Sequence, residues 1–176
     1  MVLRRLFQSR PALRTGAALY EAVTRQARDQ VFYRDWGVPD TVEGRFELYS
    51  LHVILLLGRL SGQDAQAAEV RQALFDAYLR SLDDALRDMG VGDLSVGKKM
   101  RKLGEAFYGR AKSYEQALSG DDDALGALIE RTVYADVDPL GLSRMVDYVR
   151  RSQAVLATQP LASLYGGQPA WAEVLT

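Results

Sequence analysis

Apolar residues recur every three to four positions along most of the chain, and few stretches alternate at every second residue. That periodicity predicts an all-α fold. The first predicted helix runs from Ala12 to Asp35, with Pro11 near its first turn, where a missing N–H is tolerated. Gly37-Val38-Pro39 closes it. Asp40 followed by Glu43 has capping-box spacing, with Asp40 as N-cap of a second helix that continues to Ser61. From Leu48 onward that helix is apolar on every side. Phe46, Tyr49, Val53 and Leu56 make one face, and Leu48, Leu51 and Leu55 lie opposite. A helix apolar all round is expected at the centre of the core.

The third predicted helix spans Asp64 to Met89, with Val70, Leu74, Tyr78 and Leu82 on its inner stripe. Asp76 with Arg80, and Asp83 with Arg87, are acid-first pairs four residues apart, worth a few tenths of a kcal/mol each. Gly90 occupies a left-handed C-cap position. Ser95 is the expected N-cap of a fourth helix running to Leu118 on Val96, Met100, Leu103, Phe107 and Tyr114. A fifth helix starts in Asp121-Asp122-Asp123, and a sixth covers Pro139 to Thr158. The expected organisation is a single compact domain of about six helices, over residues 15–158. A basic N-terminal tail (1–14) precedes it, and a C-terminal tail (159–176) follows, docked through Trp171 and Leu175.

A chain of 176 residues is one domain by length. It can bury roughly 70% of its unfolded surface without a disulfide or metal staple. There is no cysteine, which removes thiolate chemistry and fits a reducing compartment. The net charge of −1 makes the molecule as a whole no polyanion binder, so DNA is not an expected partner. The most apolar run, Leu48 to Leu57, is ten residues, whereas a membrane span needs about 20. No secretory signal is expected, because Met1–Ala18 lacks an apolar core. The same stretch carries Arg4, Arg5, Arg10 and Arg14 and no acid, a composition suited to an anionic membrane surface.

Most motifs with catalytic precedent fail on spacing. His52 is the single histidine, so a zinc site lacks ligands and a triad lacks its parts. It is read as a core or partner-facing side chain. Asp83, Asp84 and Asp88 resemble the aspartate box of helical isoprenoid synthases, but Asp88 falls one residue late and no second box follows. Gly90-Val91-Gly92 has no Walker spacing. No catalytic residue, cofactor or metal is expected.

One feature breaks a local rule. With Ser95 as N-cap, Lys98, Lys99, Arg101 and Lys102 would open a helix at its positive end. A cation in the first turn costs about 0.3–1 kcal/mol. Rule-breaking positions tend to be functional, so these cations are read as a docking surface. Tyr108 and Arg110 follow, the composition of an interface anchor.

Three blocks in order, "FYRDWGVPDTVEGRFELYSLHVILLLGRL", "LRDMGVGDLSVGKKM" and "AFYGRAKSYEQAL", resemble the ubiquinol–cytochrome c chaperone family. The resemblance covers Ala18 to Tyr148. It departs at Glu47, where the family has aspartate, and at Thr132, where asparagine is usual. The resemblance implies a non-enzymatic assembly factor of respiratory complex III. Such a factor binds newly made cytochrome b and holds it for haem insertion and subunit assembly. In mitochondrial members it implies a small partner protein and a ribosome contact. The short chain resembles a bacterial, alphaproteobacterial member, cytoplasmic and peripheral at the inner membrane. The candidate partner-binding residues are Lys98, Lys99, Arg101, Lys102, Tyr108 and Arg110, with Arg45 and His52. Arg4, Arg5, Arg10 and Arg14 are the candidate membrane contacts. The alternatives are a helical isoprenoid- or quinone-related enzyme and a peripheral membrane-binding module.

Overall fold

The computed structural model describes residues 10–135 and 137–175. Among them the chain forms six longer helices and two short ones. The longer ones are α1 (Arg10–Ala27), α3 (Val42–Leu60), α4 (Ala65–Asp88), α5 (Asp93–Ser119), α6 (Asp122–Thr132) and α7 (Leu142–Thr158). The short ones are α2 (Gln30–Arg34) and α8 (Leu161–Tyr165). Arg10 and Arg14 therefore belong to α1, where both are exposed, while Arg4 and Arg5 lie outside the described residues.

The helix α3 is central, as its all-round apolarity predicts. Leu48, Leu51, Val53 and Leu56 are fully buried, and α1, α4, α5 and α7 all pack against it. The most extensive helix pair is α1 on α4. It closes at Gly16, where an added Cβ would stand 2.5 Å from the Ala73 carbonyl carbon. Ser50 on α3 and Tyr78 on α4 share a buried hydrogen bond of 2.7 Å, so the polar atoms inside this layer are matched.

Several boundaries differ from the sequence expectation, each for a local reason. The first predicted helix is two helices, because the Asp29 side chain accepts from the Val31 N–H at 3.0 Å and starts α2 afresh. The N-cap of α3 is Thr41, whose hydroxyl accepts from the Gly44 N–H at 3.1 Å. Asp40 is turned instead to the Arg45 guanidinium, 2.6 Å away. The last long helix starts at Leu142, not Pro139. Gly141 lies against Trp36, leaving a Cβ only 2.4 Å from the Trp36 carbonyl oxygen. Gly90 has the positive φ expected of it, 79°.

The C-terminal segment is strapped across the core. The Trp36 indole N–H donates to the Leu175 carbonyl at 3.0 Å, and the Ala172 N–H donates to the Ser152 hydroxyl at 3.3 Å. Arg150 on α7 ties down the α5–α6 corner, donating to the Leu118 and Gly120 carbonyls, each at 2.7 Å. Those are terminal carbonyls with no intrahelical partner.

Candidate functional site

The geometry at α5 changes the reading of its cations. The N-cap is Gly92, with no side-chain cap, and α5 begins at Asp93, two residues before the expected Ser95 cap. Lys98 thus falls in the second turn, and an acid occupies the first. The dipole effect fades beyond the first turn, so the expected electrostatic penalty is largely absent. The cations themselves are exposed. Arg101 approaches Glu105 at 3.9 Å, a solvated pair. Lys98, Lys99 and Lys102 make no ion pair among the described residues.

Tyr108 projects from α5 and remains exposed, its ring 5.6 Å from that of Phe75 on α4. Together they form the mouth of a groove of about 570 Å³ between α3, α4, α5 and α7. Ile54 and Leu57 from α3, Phe75 from α4, and Phe107, Ala111 and Leu118 from α5 give it apolar walls. Arg71, Lys112 and Glu115 supply a charged edge. A second depression, of about 410 Å³, continues it past Ile54, Gly58, Leu118 and Gln153 toward Leu156. Gly58 is a floor position: an added Cβ meets nothing within 4 Å.

Three of the expected contact residues have other places. His52 is fully buried and offers no surface to a partner. Its Nδ1 is 2.8 Å from the Leu48 carbonyl and its Nε2 is 2.8 Å from the Tyr148 hydroxyl. A neutral ring donating through Nδ1 and accepting at Nε2 satisfies both contacts. Burial lowers its pKa to about 4. Phe32, Tyr148 and Trp171 surround the ring edge-on or tilted, with Trp171 only 5.0 Å away. Arg110 turns inward to Glu47, donating from Nη2 at 2.8 Å and from Nε at 2.9 Å. Its guanidinium is a tie between α3 and α5 and not an outward anchor. Arg45 stays on the surface but is engaged by Asp40, with its guanidinium 5.9 Å from the Tyr33 ring centroid.

The two departures from the family pattern also have structural partners. Glu47 is the acid that receives Arg110. Thr132 donates to the Leu128 carbonyl at 2.8 Å and accepts from the Tyr114 hydroxyl at 3.1 Å. Of the aspartates that resemble an isoprenoid-synthase box, Asp83 is bound by Arg87 at 2.7 Å; Asp121, at the expected start of the fifth helix, caps α6. Among the described residues no group of three or more His, Asp or Glu side chains is placed to hold a metal. No helix among them is long and apolar enough to cross a membrane.

The groove was not legible in the sequence. Phe107 reads as an ordinary stripe residue, and the walls come from helices distant in sequence. The one local signal was Gly58, a residue without a side chain inside the most apolar helix.

The fold and sequence are similar to known proteins. The crystal structure of the Cbp3 homolog from Brucella abortus superposes with a TM-score of 0.85 at 32% identity, covering 99% of this chain and 98% of that one. The ubiquinol-cytochrome c reductase complex assembly factor 1 of Drosophila melanogaster is 27% identical over 153 residues, 83% of this chain and 59% of that protein. The human protein of the same name is 24% identical over 135 residues, 76% of this chain and 45% of its own length. The chain thus spans about half the length of these curated relatives. The family described as ubiquinol-cytochrome C chaperone matches residues 34–171, which hold the central helix and the groove, and this chain belongs to it.

Proposed function

We propose that the protein is an assembly chaperone for ubiquinol–cytochrome c reductase, respiratory complex III. It captures newly made cytochrome b and holds it for haem insertion and subunit addition. The observation that carries this reading is the groove of about 570 Å³ beside the central helix, open to solvent and walled by Ile54, Leu57, Phe75, Phe107 and Leu118. A client that is itself apolar needs such walls before its own partners arrive. Burying three client side chains there contributes about 5–9 kcal/mol before the entropic cost of association. The surplus is small enough for release to the next assembly partner.

Tyr108 stands at the groove mouth as the aromatic contact. Lys98, Lys99, Arg101 and Lys102 form a positive rim on the same helix, N-terminal to it. Those cations guide the approach of a client whose surroundings are anionic.

Capture of cytochrome b made in a cell-free system tests the reading. The Cβ of Gly58→Phe meets no neighbour within 4 Å and its ring enters the groove, so the variant should lose capture at least tenfold, with circular dichroism to check that its helices are intact. Equal capture by the wild type and Gly58→Phe would remove the groove from the mechanism.

A further inference from the structure

The corner between α4 and α5 combines two features. The first is apolar exposure. Met89 and Leu94 are both exposed, and Leu94 touches almost nothing. The second is charge. From Arg87 to Lys102 the chain carries five cations and two carboxylates, a local +3 on a molecule of net −1.

The local acids do little to cancel the outer cations. Asp93 and Asp83 are both bound to Arg87. That leaves Asp84 and Asp88, both exposed at the end of α4, and Glu105 at 3.9 Å from Arg101. Leu94, Lys98 and Arg101 are spaced four and three residues apart, so they share one outward face of α5. Lys102 flanks that face.

An apolar tip backed by cations matches the boundary of an anionic bilayer. Leucine and methionine side chains enter the acyl region while lysine and arginine meet the headgroup phosphates. A nucleic acid would use the cations and leave Leu94 in water. An apolar protein segment would use Leu94 and leave the cations unanswered. We infer that the α4–α5 corner, led by Leu94 and Met89 and backed by Lys98, Arg101 and Lys102, seats this protein on an anionic lipid surface.

The inference does not depend on the groove or on any client, and its test contains none. The full chain is sedimented with vesicles of phosphatidylcholine alone or mixed with phosphatidylglycerol. Binding is expected only to the mixed vesicles. Lys98→Gln and Lys102→Gln should each weaken it about fivefold, and Leu94→Asp should abolish it. Leu94→Trp should show a blue-shifted emission when mixed vesicles are added. Circular dichroism checks that these exposed substitutions leave the helices intact. In a parallel arm, Arg4, Arg5, Arg10 and Arg14 are all changed to glutamine. Loss of binding in that arm, with full binding retained by the Leu94→Asp chain, would assign membrane contact to the N-terminus and overturn the inference. So would retention on heparin with no vesicle binding.

Discussion

The guanidinium of Arg110 on α5 lies side-on against the carboxylate of Glu47 on α3, with Nη2–Oε1 at 2.8 Å and Nε–Oε2 at 2.9 Å. Glu47 retains 11% of its side-chain exposure and Arg110 retains 35%, so the pair straddles the core edge. Bidentate geometry makes it stronger than a surface ion pair. Removing one partner leaves the other charge poorly solvated. Arg110→Ala should lower stability by about 2 kcal/mol in urea denaturation. Glu47→Ala should cost a similar amount, and the double variant should lose less than the sum. By contrast, Lys98→Glu should change stability by no more than about 0.5 kcal/mol, because its side chain is exposed and lies past the first turn. A large loss in Lys98→Glu would give that lysine a structural role.

The contrast between Arg110 and Lys98 marks what the sequence conveys. Two cations on one helix look alike in sequence. Only the fold shows that one meets an acid 63 residues away. The central position of α3 was legible because burial on all sides leaves apolar residues on every face between Leu48 and Leu57. The Gly90 cap was legible because positive φ selects glycine. The start of α5 was not. Ser95 is the better capping residue, but Asp93 pairs with Arg87 and already satisfies the first turn. The helix starts earlier on glycine. His52 looked ambiguous for the same reason as Arg110, since its Tyr148 partner is 96 residues distant.

His52 makes the stability depend on pH in a defined direction. The folded ring stays neutral down to about pH 4 because it is buried. In the unfolded chain it takes a proton near pH 6.5. Between these values the unfolded state binds one more proton, so stability falls as pH falls through that window and is unaffected by this group above it. The total loss is on the order of 3 kcal/mol. His52→Phe should remove about one proton from the slope of unfolding free energy against pH. At neutral pH it should cost about 1–2 kcal/mol, because the Tyr148 hydroxyl loses a partner. Urea denaturation between pH 4 and pH 7 gives both quantities, and an unchanged slope would mean that another group titrates there.

Gly16 sets the separation of α1 and α4. A Cβ there would sit 2.5 Å from the Ala73 carbonyl carbon and 2.6 Å from the Leu74 nitrogen. Both are backbone atoms, so relief requires one helix to move. Gly16→Val should lower stability by about 1–3 kcal/mol. Gly16→Ala should already show part of the loss, despite the higher helix propensity of alanine. Thermal denaturation of the two variants checks the order, and a stabilised Gly16→Ala would show that the helices separate at little cost.

Glycines inside α5 present the opposite case. Gly97, Gly104 and Gly109 are interior helical positions, and an added Cβ at each meets nothing within 4 Å. Nothing in the described fold requires them, yet each lowers helix stability by about 1 kcal/mol relative to alanine. Replacing any one by alanine should therefore raise stability by up to about that amount. Their directions differ. Gly97 and Gly104 are spaced seven residues apart from one another and from Ala111, which lines the groove. Seven residues is close to two turns, so these three share a face. Gly109 lies about 140° around the helix from Gly104, on another face. If the client's path continues along α5 beyond Tyr108, Gly104→Leu should gain stability and lose cytochrome b capture severalfold. Gly109→Leu should gain stability and capture normally. Equal capture by the two variants would end the path at Tyr108.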